Sequence, residues 1–203
     1  MTILGLDFDN TLVCYDRLFY QLALEKNLID ETIPAKKVDI RNYLRSRDLE
    51  EEFTILQGEV YGLHIIRAEP AEGMIKALEA IHKRGIKMVL VSHKTKTPYK
   101  GPKSDLHKAA KSWLSKNNLL GESSIVNWTE KDLFFEETKV NKIKRINSCM
   151  CTHYVDDLQE ILFQLSSEVK KIHYNPDGIQ NKEINTGGLH IMTSWSQLNQ
   201  LVV

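Results

Sequence analysis

Hydrophobic and polar positions change period several times along the chain. Residues 2–6, Thr-Ile-Leu-Gly-Leu, form a short apolar run, the pattern of a strand buried on both faces. The run closes on Asp7-Phe8-Asp9-Asn10. Asp and Asn are poor strand formers, so the strand is predicted to end near Asp7. Residues 15–68 carry no strand pattern and read as helices. Leu18, Phe19, Leu22 and Ala23 share one helical face, and Asn27 is predicted to end that helix. Residues 39–56 are charge-rich, with Ile40, Tyr43, Leu44 and Phe53 as buried positions, and residues 61–66 are apolar again.

Beyond residue 68 strands and helices alternate. Pro70 is predicted to open a helix whose Met74, Ala77, Leu78 and Ile81 line up, and Gly85 stops it. Residues 86–91 form a second apolar strand that ends at Ser92. Ser104 reads as the N-cap of a helix with Leu106, Ala109, Ala110, Trp113 and Leu114 on one face and His107 off it. Residues 124–128 and 132–135 are both short strand patterns, and one of them is expected to supply the third sheet strand. Val140, Ile143 and Ile146 mark the next helix. Residues 152–155 are a fourth strand, ending in Asp156-Asp157 and followed by a helix through Leu158, Ile161, Leu162 and Leu165. Residues 169–173 and 189–192 are further strands, and residues 195–201 a closing helix. This alternation predicts an α/β fold, a parallel sheet flanked by helices with right-handed crossovers. Ligands of such sheets bind outside the carboxyl ends of the strands.

Composition narrows the function classes. A chain of 203 residues accommodates one domain with a modest insertion. Lys+Arg and Asp+Glu are both 27, so the net charge is near zero and argues against a nucleic-acid partner. The cysteines are Cys14, Cys149 and Cys151, an odd number without a secretory signal, which predicts a reduced, cytoplasmic protein. Cys149-Met150-Cys151 lacks the second pair that zinc spacing requires. No apolar run approaches the roughly 18 residues of a membrane span, so no membrane partner is expected.

Asp7 and Asp9 place two carboxylates at a strand end, where they repel unless a cation or proton neutralises them. A hard divalent cation such as Mg²⁺ suits such a pair together with a substrate phosphate. Read alone, the same residues also fit a turn in which Asp9 or Asn10 caps a helix. The stretch Asp7-x-Asp9-x-Thr11 after an apolar strand, however, resembles the first motif of the haloacid dehalogenase (HAD) superfamily. The remaining motifs of that superfamily follow in order. Ser92 resembles the phosphoryl-binding hydroxyl at the second strand. Lys139 or Lys142 resembles the lysine of the third motif, with Lys139 favoured because it precedes the apolar face of its helix. Asp156-Asp157 resembles the acidic pair of the fourth. The helices of residues 15–68 resemble a small cap inserted into a core of residues 1–14 and 69–203; the alternative is that they belong to the core layer itself.

The resemblance implies a three-layer Rossmann-like parallel sheet with a small helical cap. It implies Asp7 as a nucleophile that becomes an aspartyl-phosphate, and Asp9 as general acid/base. Asp7, the Asp9 carbonyl, Asp156 and Asp157 are then the Mg²⁺ set. The implied activity is a Mg²⁺-dependent phosphohydrolase acting on a small phosphorylated metabolite. A nucleic-acid end-processing phosphatase and a non-catalytic module of the same fold are the alternatives. Residues 93–103 form a basic loop with Lys94, Lys96, Lys100 and Lys103 and no acidic residue. It is expected at the rim of the site, attracting an anionic substrate. Arg41, Arg45, Arg47 and Arg67 read as the solvated face of the cap helices.

Overall fold

The apolar runs assemble into one parallel sheet. The computed structural model describes residues 1–178 and 187–202; the core range expected to reach residue 203 thus includes residues 179–186 and 203, which lie outside the described ones. The sheet strands are β1 (Ile3–Leu6), β2 (Lys87–His93), β3 (Leu133–Glu136), β4 (His153–Asp156), β5 (Lys170–Tyr174) and β6 (Leu189–Met192). They lie in the order β3-β2-β1-β4-β5-β6, all parallel, with Leu6 opposite Leu90 on one side and Val155 on the other. The most apolar run, β1, occupies an interior position and is buried throughout. The helices are α1 (Asp16–Glu25), α2 (Lys37–Ser46), α3 (Glu50–Tyr61), α4 (Met74–Lys83), α5 (Leu106–Lys116), α6 (Lys139–Ser148), α7 (Gln159–Phe163) and α8 (Leu198–Leu201).

The chain divides into two compact units. The sheet unit holds residues 1–13, 70–94 and 118–203, and the helical unit residues 14–69 and 95–117. The helical unit therefore takes in residues 95–117, which the resemblance placed in the core. The reason is the partner of the α5 stripe. Leu106, Ala110, Trp113 and Leu114 are buried within the helical unit, where the Trp113 indole N–H donates to the Ala68 carbonyl at 2.9 Å. Lys116 Nζ donates to the Ile66 carbonyl at 2.6 Å. An amphipathic pattern declares that a helix has a buried face but not what covers it.

Local differences from the sequence reading have identifiable causes. The third strand is residues 133–136, whereas residues 124–128 contribute only a bridge from Trp128 to Leu120. Asn127 takes a left-handed φ of 54°, which breaks the extended run. Pro70 does not open a helix; α4 starts at Met74, after Gly73 at a φ of 78°. Asp105 rather than Ser104 caps α5, its carboxylate accepting from Lys108 N at 2.9 Å. The closing helix begins as a 3₁₀ turn at Trp195–Gln197.

Beneath the site, Tyr154 is fully buried with Val89, Val91, Ile146, Cys151 and Ile161, and its hydroxyl donates to the Val91 carbonyl. Gly5 is what admits the ring. A Cβ there would lie 2.5 Å from Tyr154 Cδ2 and 2.8 Å from Cys151 Sγ. Gly5→Ala is expected to lower the unfolding free energy by about 1–3 kcal/mol through overpacking. Urea titration checks it, and an unchanged midpoint would contradict this packing.

Candidate active site

Four strand or helix ends of the sheet unit bring the polar residues together. β1 ends as the Asp7 N–H donates to the Val155 carbonyl at 3.0 Å. The chain then turns around the Phe8 carbonyl, which accepts from Leu12 N at 3.0 Å and Val13 N at 3.2 Å. Asn10 supplies the left-handed step at a φ of 56°, which Asn tolerates better than most residues. The turn brings Thr11 back to Asp7, with Thr11 Oγ1 donating to Oδ2 at 3.4 Å. From the end of β2, Ser92 Oγ donates to Asp7 Oδ1 at 2.8 Å. Two residues on, Lys94 Nζ lies 2.9 and 3.0 Å from the two carboxylate oxygens of Asp9.

α6 is capped by Thr138, whose hydroxyl accepts from Asn141 N at 3.1 Å. The cap fixes the start of the helix so that Lys142, one turn in, lies on the same buried stripe as Ile146. Lys142 Nζ donates to Asp7 Oδ1 and to Asp156 Oδ2, both at 2.6 Å. Asp156 closes β4 fully buried, and its Oδ1 accepts from Leu158 N at 2.8 Å. Asp157 is half-buried, and its main-chain carbonyl is 3.0 Å from His173 Nε2.

Carboxylate oxygens of Asp7, Asp156 and Asp157 lie within 4.8 Å of one another. Burial and the charge of Asp7 push the Asp156 carboxyl up to about 7, against the pull of Lys142. Burial, Asp7 and Asp156 likewise push Asp157 well above the carboxylate range. For Lys142 burial alone would pull the ammonium down; Asp7 and Asp156 outweigh it and hold its pKa above the ordinary lysine value. Three hard oxygen donors crowded against their own repulsion suit a divalent cation, and among the described residues no His or Cys joins them.

The structure thus gathers Asp7, Asp9, Ser92, Asp156 and Asp157 as the sequence places them, and corrects the lysine. Lys139 is exposed and pairs with Glu160 at 2.5 Å; Lys142 holds the interior position. The sequence reading began the apolar face at Val140, which is 58% exposed; the buried stripe runs instead through Lys142 and Ile146. Lys94 was read as one cation of the basic loop and is instead a buried partner of Asp9. Lys96, Lys100 and Lys103 belong to the helical unit. There Lys100 is balanced by Glu51 at 2.8 Å, an acidic residue distant in sequence. Arg67 pairs with Glu25 at 2.6 Å, Arg45 with Glu50, and Arg47 lies over the Tyr43 ring. No helix among the described residues is long and apolar enough to cross a membrane.

No family model matches this chain, and no curated protein does. Solved structures match it over nearly their whole length. A haloacid dehalogenase-like hydrolase from Streptococcus pneumoniae has a TM-score of 0.62 at 13% identity, covering 98% of this chain and 97% of that one. A predicted phosphoglycolate phosphatase from Haemophilus somnus has a TM-score of 0.58 at 12% identity, with 100% and 98% covered. Bacillus subtilis YfnB, bound to magnesium, has a TM-score of 0.58 at 13% identity, with 99% and 98% covered. A dehalogenase also matches. At these identities the likeness establishes the fold, that of the HAD superfamily, and leaves the chemistry to the residues.

Replacing each lysine separates the interior position from the surface one. Lys142→Met leaves buried carboxylates without their cation and is expected to destabilise by about 3 kcal/mol. Lys139→Met breaks an exposed pair and should change stability by less than about 1 kcal/mol. Denaturant titration of both variants checks this; equal effects would put the ammonium of Lys142 elsewhere.

Proposed function

We propose that this HAD-fold chain is a Mg²⁺-dependent phosphohydrolase that acts on a small phosphorylated metabolite through an aspartyl-phosphate at Asp7. One observation carries the reading. A carboxylate at a strand end is gripped on one oxygen by a hydroxyl and a buried ammonium, with a second carboxylate two residues away. A carboxylate is a competent covalent nucleophile for phosphoryl transfer. Asp7 attacks phosphorus in line as the bond to the ester oxygen breaks, its electron pair passing to that oxygen. Asp9 gives this oxygen a proton, then removes one from the water that attacks the aspartyl-phosphate and frees Asp7 and phosphate. The Ser92 hydroxyl and the Lys142 ammonium offer donors to the phosphoryl oxygens, which is most of what this reaction asks of a protein. A divalent cation held by Asp7, Asp156, Asp157 and the Asp9 carbonyl would supply neutralisation of charge on those oxygens.

Dehalogenation fits these residues less well. A halide leaves without a proton, so the proton donation that Asp9 offers an ester oxygen would go unused. Displacement at carbon also develops no charge on phosphoryl oxygens for a cation to neutralise. The balanced charge of the chain favours a small substrate over a nucleic-acid end.

Turnover of a panel of phosphorylated metabolites is expected with Mg²⁺, lost with EDTA and restored by added Mg²⁺; Asp156→Ala should need more Mg²⁺. Asp7→Asn should abolish turnover, since an amide is a poor nucleophile. Asp9→Asn retains the nucleophile and loses the acid and base. Mixed with an activated aryl phosphate and Mg²⁺, it is expected to accumulate a phosphate-sized mass increase on Asp7 in intact-protein mass spectrometry. Phosphate on Ser92 or a histidine, or turnover by Asp7→Asn, would refute the mechanism.

A further inference from the structure

The geometry points to Lys94 as a positioning residue that aims the Asp9 carboxyl at the leaving-group oxygen. The inference rests on the phosphohydrolase reading and extends it to a residue that none of the four motifs contains. Ser92 and Lys94 are two residues apart, and so are Asp7 and Asp9. Ser92 Oγ meets Asp7 Oδ1 at 2.8 Å, and Lys94 Nζ meets both oxygens of Asp9 at 2.9 and 3.0 Å. Residues two apart on an extended chain share a face. The chain leaving β2 therefore holds the nucleophile and the acid/base with the same two-residue step.

The pair has a direction. The Lys94 side chain is 2% exposed and that of Asp9 20% exposed. In a surface ion pair the long lysine is usually the wetter partner, since its stem snorkels to water. Here the cation is the buried partner and the carboxylate the more exposed one. The lysine is fixed at both ends. Its backbone N–H donates to the Glu136 carbonyl at 2.9 Å, and its Nζ lies 5.3 Å from the centre of the Phe8 ring. An ammonium touching both oxygens sets the plane of the carboxyl as well as its place. Such orientation governs how efficiently Asp9 passes its proton to the ester oxygen as the P–O bond breaks.

The test is a double-mutant cycle with wild type, Lys94→Met, Asp9→Asn and the double variant. The readout is kcat/KM with Mg²⁺ on phenyl phosphate and 4-nitrophenyl phosphate. Phenolate is the poorer leaving group and depends more on the proton from Asp9. Lys94→Met is expected to lower kcat/KM about 10²-fold on phenyl phosphate and less than about 10-fold on 4-nitrophenyl phosphate. In the Asp9→Asn background the same substitution should cost less than about twofold on either ester, because Lys94 acts through Asp9. Lys94→Arg, which keeps the cation, should recover most of the loss. Equal losses on both esters, or a full loss persisting beside Asp9→Asn, would overturn the inference and make Lys94 a binding or structural residue. If Lys94→Met does not fold, Lys94→Gln carries the same comparison. A wild-type protein that hydrolyses neither these esters nor any metabolite of the panel would instead defeat the phosphohydrolase reading, and the inference with it.

Discussion

Like charge in a confined, half-dry space is the constraint on which this site depends. Oxygens of Asp7, Asp156 and Asp157 converge to within 4.8 Å at the ends of two neighbouring strands. Such a group is stable only with positive charge among them. The chain supplies it as Lys142, whose ammonium bridges Asp7 and Asp156. Much of the surrounding structure serves that bridge. The Thr138 cap starts α6 where its fourth residue reaches inward. The Leu158 N–H turns one oxygen of Asp156 away from the lysine and leaves the other toward it. Gly5 keeps the backbone of β1 against the Tyr154 ring, on the strand whose end carries Asp156.

The two lysines reach the site by different routes and meet different carboxylates. Lys142 comes from a helix and is shared between two acids. Lys94 comes from the extension of a strand and pairs with Asp9. Asp7 and Asp9 thereby sit in unlike environments although only Phe8 separates them. One is buried and meets an ammonium and a hydroxyl; the other is half-buried and paired with a buried cation. Neighbouring carboxylates given different surroundings can take on different work.

What could be read from sequence followed from how local each signal is. The strands were legible because a buried parallel strand is a short continuous apolar run, and the acids were legible because they close those runs. Residues 124–128 have the same composition, but one left-handed residue, Asn127, prevents a ladder. The choice between Lys139 and Lys142 turned on the angular position of the buried stripe of α6. Val140 has an apolar side chain and lies exposed, whereas the buried stripe keeps Ile146 and takes in Lys142. The destination of α5 was not legible, since the covering surface of Trp113 comes from residues more than forty positions earlier. Lys94 carried a usable sign, the two-residue step from Ser92, but four lysines in one loop masked it.

The division of the chain has a practical meaning for anyone who wishes to take the protein apart. The helical unit is made of two stretches, residues 14–69 and 95–117. Excising only the first would leave α5 behind with its stripe of Leu106, Ala110, Trp113 and Leu114 stripped of its cover and the Trp113 indole without the Ala68 carbonyl. An uncovered stripe of that kind is an aggregation surface. A minimal sheet unit must therefore lose both stretches and rejoin the chain at two places. One of those joins falls immediately after Lys94, so trimming the protein to its sheet also means rebuilding the segment that follows a residue in contact with Asp9.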